Sequence, residues 1–209
     1  MITEQFMSAT KIVKSISSRP IYGKLRAQLG SNHLIVADGE GAQAVLELCR
    51  TVDTFFLASC HVIFIASPSD EQYIKRLQQL SLSQLHIAAS YQSIQSRLRE
   101  VLHNARIGFQ LYLTGTESLM GQSMIEASRV GIAHNMIQTE HRGSTARRMQ
   151  CVHCKGITEN VTHDPFQCAH CDLHLFVRDH YSRRIAAFQG VRVDAEDPGN
   201  IPTPVERFK

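Results

Sequence analysis

The sequence predicts an α/β protein: a five-stranded parallel sheet with helices on both faces, followed by a small ribbon organised by four cysteines. Three observations lead there. Short apolar runs alternate with segments of helical period between residues 33 and 138. Two glycine-containing turns, Asp38-Gly-Glu-Gly41 and Thr114-Gly-Thr-Glu-Ser118, each stand between a strand and a helix. Two Cys-x-x-Cys pairs, Cys151-Val-His-Cys154 and Cys168-Ala-His-Cys171, lie 13 residues apart near the carboxyl end. A repeated strand–helix order implies parallel strands, because each helix carries the chain back to the edge where the previous strand began.

Residues 1–31 have a mixed polar pattern and read as an amino-terminal extension, with Pro20 set against helix because it lacks an amide donor. Residues 33–37 (HLIVA) form the first strand, apolar on both faces. The Asp38–Gly41 turn leads into a helix over 42–50 that presents Val45, Leu46 and Cys49. Residues 54–59 are apolar and fit either element. Residues 61–66 (HVIFIA) are the second strand. Ser69 or Asp70 then caps a helix over 71–80, with Ile74, Leu77 and Leu80 on one face. Residues 85–89 are the third strand. Ile94, Leu98, Val101 and Leu102 mark the next helix at i, i+4, i+7 and i+8. Residues 109–114 are the fourth strand, 117–129 a helix closed by Gly131, and 132–138 the fifth strand. These elements define a sheet domain over 32–141.

Residues 141–150 show no apolar periodicity and read as a linker. The four-cysteine ribbon spans 142–196, and 197–209, with three prolines, reads as an extended tail.

The totals narrow the function classes. Lys and Arg number 22 against 19 Asp and Glu, an excess too small to require a nucleic-acid partner. Residues 141–209 are nearly balanced, with ten basic against eight acidic side chains, so the ribbon is not a DNA-binding patch. There is no run of 18 apolar residues, and the amino end lacks a basic segment followed by an apolar one. We therefore expect neither a membrane span nor a secretion signal, and a cytoplasmic location with reduced thiols. Cys49 and Cys60 stand alone in apolar stretches and read as inert buried thiols.

Cys151, Cys154, Cys168 and Cys171 are the metal candidates. Each Cys-x-x-Cys turn aims two sulfurs at one ion while backbone amides donate to them, and two such turns close a tetrahedron. His153 and His170 occupy inner positions whose side chains normally point away. His163 and His174 are not needed once four cysteines are present. Four thiolates bind zinc or iron; the frequency of such sites favours zinc, and a rubredoxin-like iron is the second choice. Arg178, Arg183 and Arg184 after the second pair read as a solvated edge or as a docking surface for a partner subunit.

On the sheet domain, Asp38, Gly39 and Gly41 on one turn and Thr114, Gly115 and Thr116 on the other are the candidate nucleotide contacts, since ligands of such sheets gather beyond the carboxyl ends of the strands. Ala44 stands where a full dinucleotide fingerprint has its third glycine. Glu40 and Glu117 at the helix starts would repel phosphate. A tight turn without ligand is the other reading. No catalytic residue is assigned: there is no G-x-S-x-G or phosphate-loop lysine motif, and no nucleophile–base pair.

Residues 33–140 resemble the nicotinamide-binding half of the ferredoxin reductase family through Leu34-Ile-Val-Ala-Asp-Gly-Glu-Gly41, Leu113-Thr-Gly-Thr-Glu-Ser-Leu-Met120 and Ile137-Gln-Thr-Glu140. Thr114 stands where that family has Cys and Thr116 where it has Pro, and 31 preceding residues are too few for its flavin barrel. With the cysteine pairs, Leu175-Phe-Val-Arg-Asp-His-Tyr-Ser-Arg-Arg184 and Gly190-Val-Arg-Val-Asp-Ala-Glu196, nearly the whole chain resembles the DmmA-like subunits of dimethylamine monooxygenase. The resemblance implies an accessory or electron-transfer subunit of an NADPH-dependent, haem-containing N-demethylating system. Haem, flavin and a [2Fe–2S] centre are then expected on partner subunits, a haem subunit and a reductase subunit. Two alternatives stay open: a stand-alone zinc-ribbon adaptor or regulator, and a reductase component that binds NAD(P)H and borrows flavin from a partner.

Overall fold

A computed structural model describes residues 19–209. The amino end read above for a secretion signal, and residues 1–18 of the amino-terminal extension as a whole, lie outside the described residues.

The first sheet is formed by β1 (Asn32–Asp38), β2 (Cys60–Ile65), β3 (Gln84–Ala88), β4 (Phe109–Gly115) and β5 (Ile137–His141) in the order β3-β2-β1-β4-β5, every pair parallel. Alternation on β1 explains why it sits in the middle. Ile35 and Ala37 join a core with α1 (Gly41–Cys49), α2 (Thr54–Ala58) and α3 (Glu71–Gln78), whereas Leu34 and Val36 join a second core with α4 (Tyr91–His103) and α5 (Glu117–Arg129). Both faces of the strand are buried, so both sets of side chains must be apolar. Ile94, Leu98 and Leu102 form the buried stripe of α4, each contributing about 1.5–3 kcal/mol of burial.

Caps fix the helix starts. Ser90 accepts from the Ser93 amide at 3.3 Å, and Thr116 Oγ1 accepts from the Leu119 amide at 3.3 Å. Asp70 is the N-cap residue of α3, as expected, but its carboxylate does not bond an α3 amide: a 3-10 turn, Pro68–Asp70, precedes the helix, and the carboxylate turns back to accept the amide of Ser67, the cap of that turn, at 2.7 Å. The ambiguous residues 54–59 become α2, because Asp53 accepts from the Phe56 amide at 2.9 Å.

The second sheet has the order β7-β6-β11-β10-β9, built from β6 (Arg147–Cys151), β7 (Ile157–Val161), β9 (Phe166–Gln167), β10 (His174–Ser182) and β11 (Ala187–Arg192). Strands β6 and β11 run parallel and the other pairs are antiparallel. It has its own core, in which Met149, Val161, Leu175 and Phe188 surround Cys151 and Cys168. It rests on α5 at Gly121, where an added Cβ would meet the Tyr181 hydroxyl and lie 2.7 Å from Ala186 Cβ.

Three expectations are corrected. The fifth strand begins at Ile137, not at residue 132, because the Ile132 amide still donates to Ala127 O in the helix-ending turn at Gly131 (φ 78°). Residues 147–150, read as linker, belong to β6: Arg147 is buried, its guanidinium 4.2 Å from the ring centroids of both Phe188 and Phe208 and paired with Asp179 at 2.7 Å. The tail does not simply extend: β12 (Val205–Glu206) pairs antiparallel with β8 (His163–Asp164) and brings Phe208 onto Arg147. Among the described residues no helix is long and apolar enough to cross a membrane.

Candidate metal centre

The four predicted cysteines converge. Cys151 ends β6, Cys168 follows β9, and Cys154 and Cys171 come one turn later. The two knuckles repeat one backbone pattern. Lys155 N–H donates to Cys151 O at 3.0 Å and Asp172 N–H to Cys168 O at 3.1 Å, while Cys151 and Cys168 donate their own amides to Gly156 O and Leu173 O. Lys155 (φ 62°) and Asp172 (φ 58°) each take the left-handed conformation that reverses the chain after the second cysteine.

The Sγ atoms of Cys151 and Cys171 are 3.8 Å apart, those of Cys154 and Cys168 3.7 Å, and all four lie within 4.8 Å of one another. A tetrahedron with metal–sulfur bonds of about 2.3 Å has edges of about 3.8 Å, so the donor set fits one tetrahedral ion. Amides supply the outer hydrogen bonds: Gly156 N–H points at Cys154 Sγ at 3.4 Å, and Leu173 N–H at the Cys171 sulfur. Burial disfavours ionisation of Cys168, but the amides of His170 and Cys171 together with the neighbouring thiols of Cys171 and Cys154 outweigh it and bring the thiol down to about 7. Cys151 and Cys168 are buried, Cys154 is exposed and Cys171 half-buried, so the cluster has one open side.

No histidine joins the cluster among the described residues. His170 Nε2 meets Ile157 O at 2.8 Å, and its ring lies against Gly156, where a Cβ would collide with it. Cys49, the last residue of α1, and Cys60, the first of β2, are buried in one core of the first sheet; burial pushes the Cys49 thiol up to about 11 and Cys60 higher still.

The candidate nucleotide residues also come together, at the topological switch between β1 and β4. Asp38 accepts the Thr116 amide at 2.7 Å and the Thr116 hydroxyl at 2.5 Å. Gly115 (φ 118°) leaves room for that carboxylate; a Cβ there would run into it. At Gly41 a Cβ would lie 2.5 Å from Thr114 O and 2.8 Å from Gly115 N, so the start of α1 is pressed onto the end of β4. Gly39 (φ 44°) makes the turn, and Thr114 is fully buried. A cavity of about 390 Å³ opens beside these turns, with Asp38, Glu40 and Asp70 in its wall. The cation of that wall, Arg142, is paired with Glu140 at 2.6 Å and Glu47 at 2.8 Å.

Sequence reasoning missed the strap that closes the β5 edge. Leu25 N–H donates to Glu140 Oε2 at 2.7 Å, Gly23 N–H to Thr139 O at 2.9 Å, and Tyr22 OH to Glu117 Oε1 at 2.7 Å. These partners lie some hundred positions apart in the chain, and no local pattern announces them.

The molecule is thus a parallel α/β sheet joined to a ribbon that gathers four cysteines. The chain belongs to the dimethylamine monooxygenase subunit DmmA-like family: the model of the family's N-terminal domain matches residues 14–137 and that of its C-terminal domain residues 148–191. It is 29% identical over 123 residues, 59% of this chain and 69% of the relative, to the heme-dependent oxidative N-demethylase delta subunit of Ectopseudomonas mendocina (strain ymp). Among solved structures it is similar to phthalate dioxygenase reductase, at 14% identity and a TM-score of 0.47 over 68% of this chain and 47% of that one. It is also similar to the siderophore-interacting protein SipS from Aeromonas hydrophila, at 15% identity and a TM-score of 0.40 over 55% and 51%. The chain thus spans about half the length of these solved proteins.

Proposed function

We propose that this chain is an accessory or electron-transfer subunit of a haem-dependent, NADPH-dependent dimethylamine monooxygenase that removes a methyl group oxidatively. The observation that carries the reading is the four-sulfur cluster of Cys151, Cys154, Cys168 and Cys171 on a chain of the DmmA-like family. Those cysteines hold one ion, zinc in preference to iron. Zinc would fix the ribbon without redox change; iron in the same cage would carry one electron. The sheet over 32–141 and the ribbon over 142–196 act as two modules in a cytoplasmic complex, with residues 1–31 and 197–209 as flanking segments. Haem, flavin and [2Fe–2S] reside on a haem subunit and a reductase subunit.

Nucleotide contact falls on Asp38, Gly39, Gly41, Thr114, Gly115 and Thr116. Three carboxylates in the cavity wall and an arginine already paired keep that contact weak. Titration calorimetry with NADPH tests this directly: we expect weak binding that strengthens in Asp38→Asn, and submicromolar binding by the unaltered chain would contradict it.

The central test is coexpression with the neighbouring genes, followed by purification through a tag on this chain. A haem subunit in stoichiometric yield is expected, with one equivalent of metal per chain. Elution of this chain alone, or less than a tenth of an equivalent of metal, would overturn the assignment. An absorption spectrum distinguishes colourless zinc from red iron.

A further inference from the structure

A cleft of about 320 Å³ separates α4 and α5 from the ribbon strands β6 and β7. Four arginines line it, Arg99, Arg129, Arg148 and Arg184, against one lining carboxylate, Glu126. Glu126 is buried and its oxygens are occupied: Arg99 donates at 2.9 and 2.8 Å, Arg129 at 3.0 Å and Gln95 at 3.0 Å. Arg99 and Arg129 are thereby fixed in position, yet their side chains stay 51% and 60% exposed. Arg148 is held by Glu159 at 2.7 Å and by the Ile185 carbonyl. Arg184 is exposed and has no carboxylate partner among the described residues.

Long cationic side chains already ordered by their own protein lose little entropy on meeting an anion. The shape selects the kind of anion. Arg99 and Arg129 also line an adjoining open hollow of about 460 Å³ beside Val130, together with Glu100 and Glu126, so these two arginines are presented on an open surface along α4 and α5 rather than in a closed pocket. The opposite wall carries Gln150 and Ile157, which flank the first cysteine knuckle.

We propose that this arginine cleft is the docking site for an acidic surface of a partner subunit, which it seats beside the four-thiolate centre. The proposal rests on the subunit reading above, and the experiment separates the two. The chain is coexpressed with a haem subunit and a reductase subunit of the proposed complex, and the affinity of each captured subunit is measured at low and high salt. We expect Arg184→Glu and Arg129→Gln to weaken one partner about tenfold or more and to flatten its salt dependence. Arg76→Glu, exposed on α3 across the sheet, should bind as the wild type does. Unchanged metal content and thermal midpoint establish that the variants are folded. If wild type captures a subunit and the cleft variants bind it equally at every salt concentration, the docking site is wrong while the subunit reading stands. If wild type captures neither subunit, both fall.

Discussion

The Asp38 carboxylate at the end of β1 and Thr116 at the start of α5 are joined by two hydrogen bonds, 2.7 Å from the amide and 2.5 Å from the hydroxyl. One side chain thus ties together the two turns of the switch point and occupies the amino end of the helix with the protein's own anion. Burial, only partly offset by these bonds, raises the Asp38 pKa.

A raised carboxyl pKa favours the protonated form in the folded state. Its stabilising effect is full below the ordinary aspartate range and is lost as pH rises through the folded value. Asp38→Asn should therefore gain on wild type with increasing pH, as measured by urea unfolding from about pH 4 to about pH 8. Asp38→Ala leaves the Thr116 amide unpaired and should cost about 1–3 kcal/mol at all pH values.

His61 behaves in the opposite sense. Burial, then the Arg97 charge, lower its pKa to about 4, and its buried Nε2 has no hydrogen-bond partner among the described residues. The folded protein keeps it neutral, so stability present above about pH 6.5 is lost as pH falls toward 4. Removing the titration with His61→Leu should recover about 1–2 kcal/mol of that acid-induced loss, allowing for solvent screening of a partly exposed group. Unfolding free energies at pH 7 and pH 4.5, compared between the two proteins, give the answer.

At Gly121 helix α5 and the ribbon sheet approach too closely for any side chain. Gly121→Ala should destabilise by about 1–3 kcal/mol, because either the Tyr181 hydroxyl and Ala186 or the helix itself must move. Calorimetry should record a lower thermal midpoint with the metal content unchanged.

Stripping the ion with a strong chelator should unfold the ribbon while the parallel sheet keeps its own two apolar cores. Amide exchange should then rise across β6 to β11 and stay slow in β1, β2 and β4. Cys168→Ser, at a buried ligand position, should have the same effect without chelator.

The parallel sheet and the four cysteines of the candidate metal site were legible in the sequence. Both are written locally: apolar runs of strand length alternate with helical period, and two cysteine pairs carry the spacing that a tetrahedral ion requires. What distant residues do to one another emerges with the folded chain. Arg147 reads as part of a polar linker until Phe188 and Phe208 close over it, and nothing near Glu126 in the chain foretells that Arg99 and Gln95 converge on it. The physical reason is that periodicity and spacing record a residue's immediate neighbours, whereas burial of a charge and the gathering of arginines in one cleft depend on partners supplied by other elements.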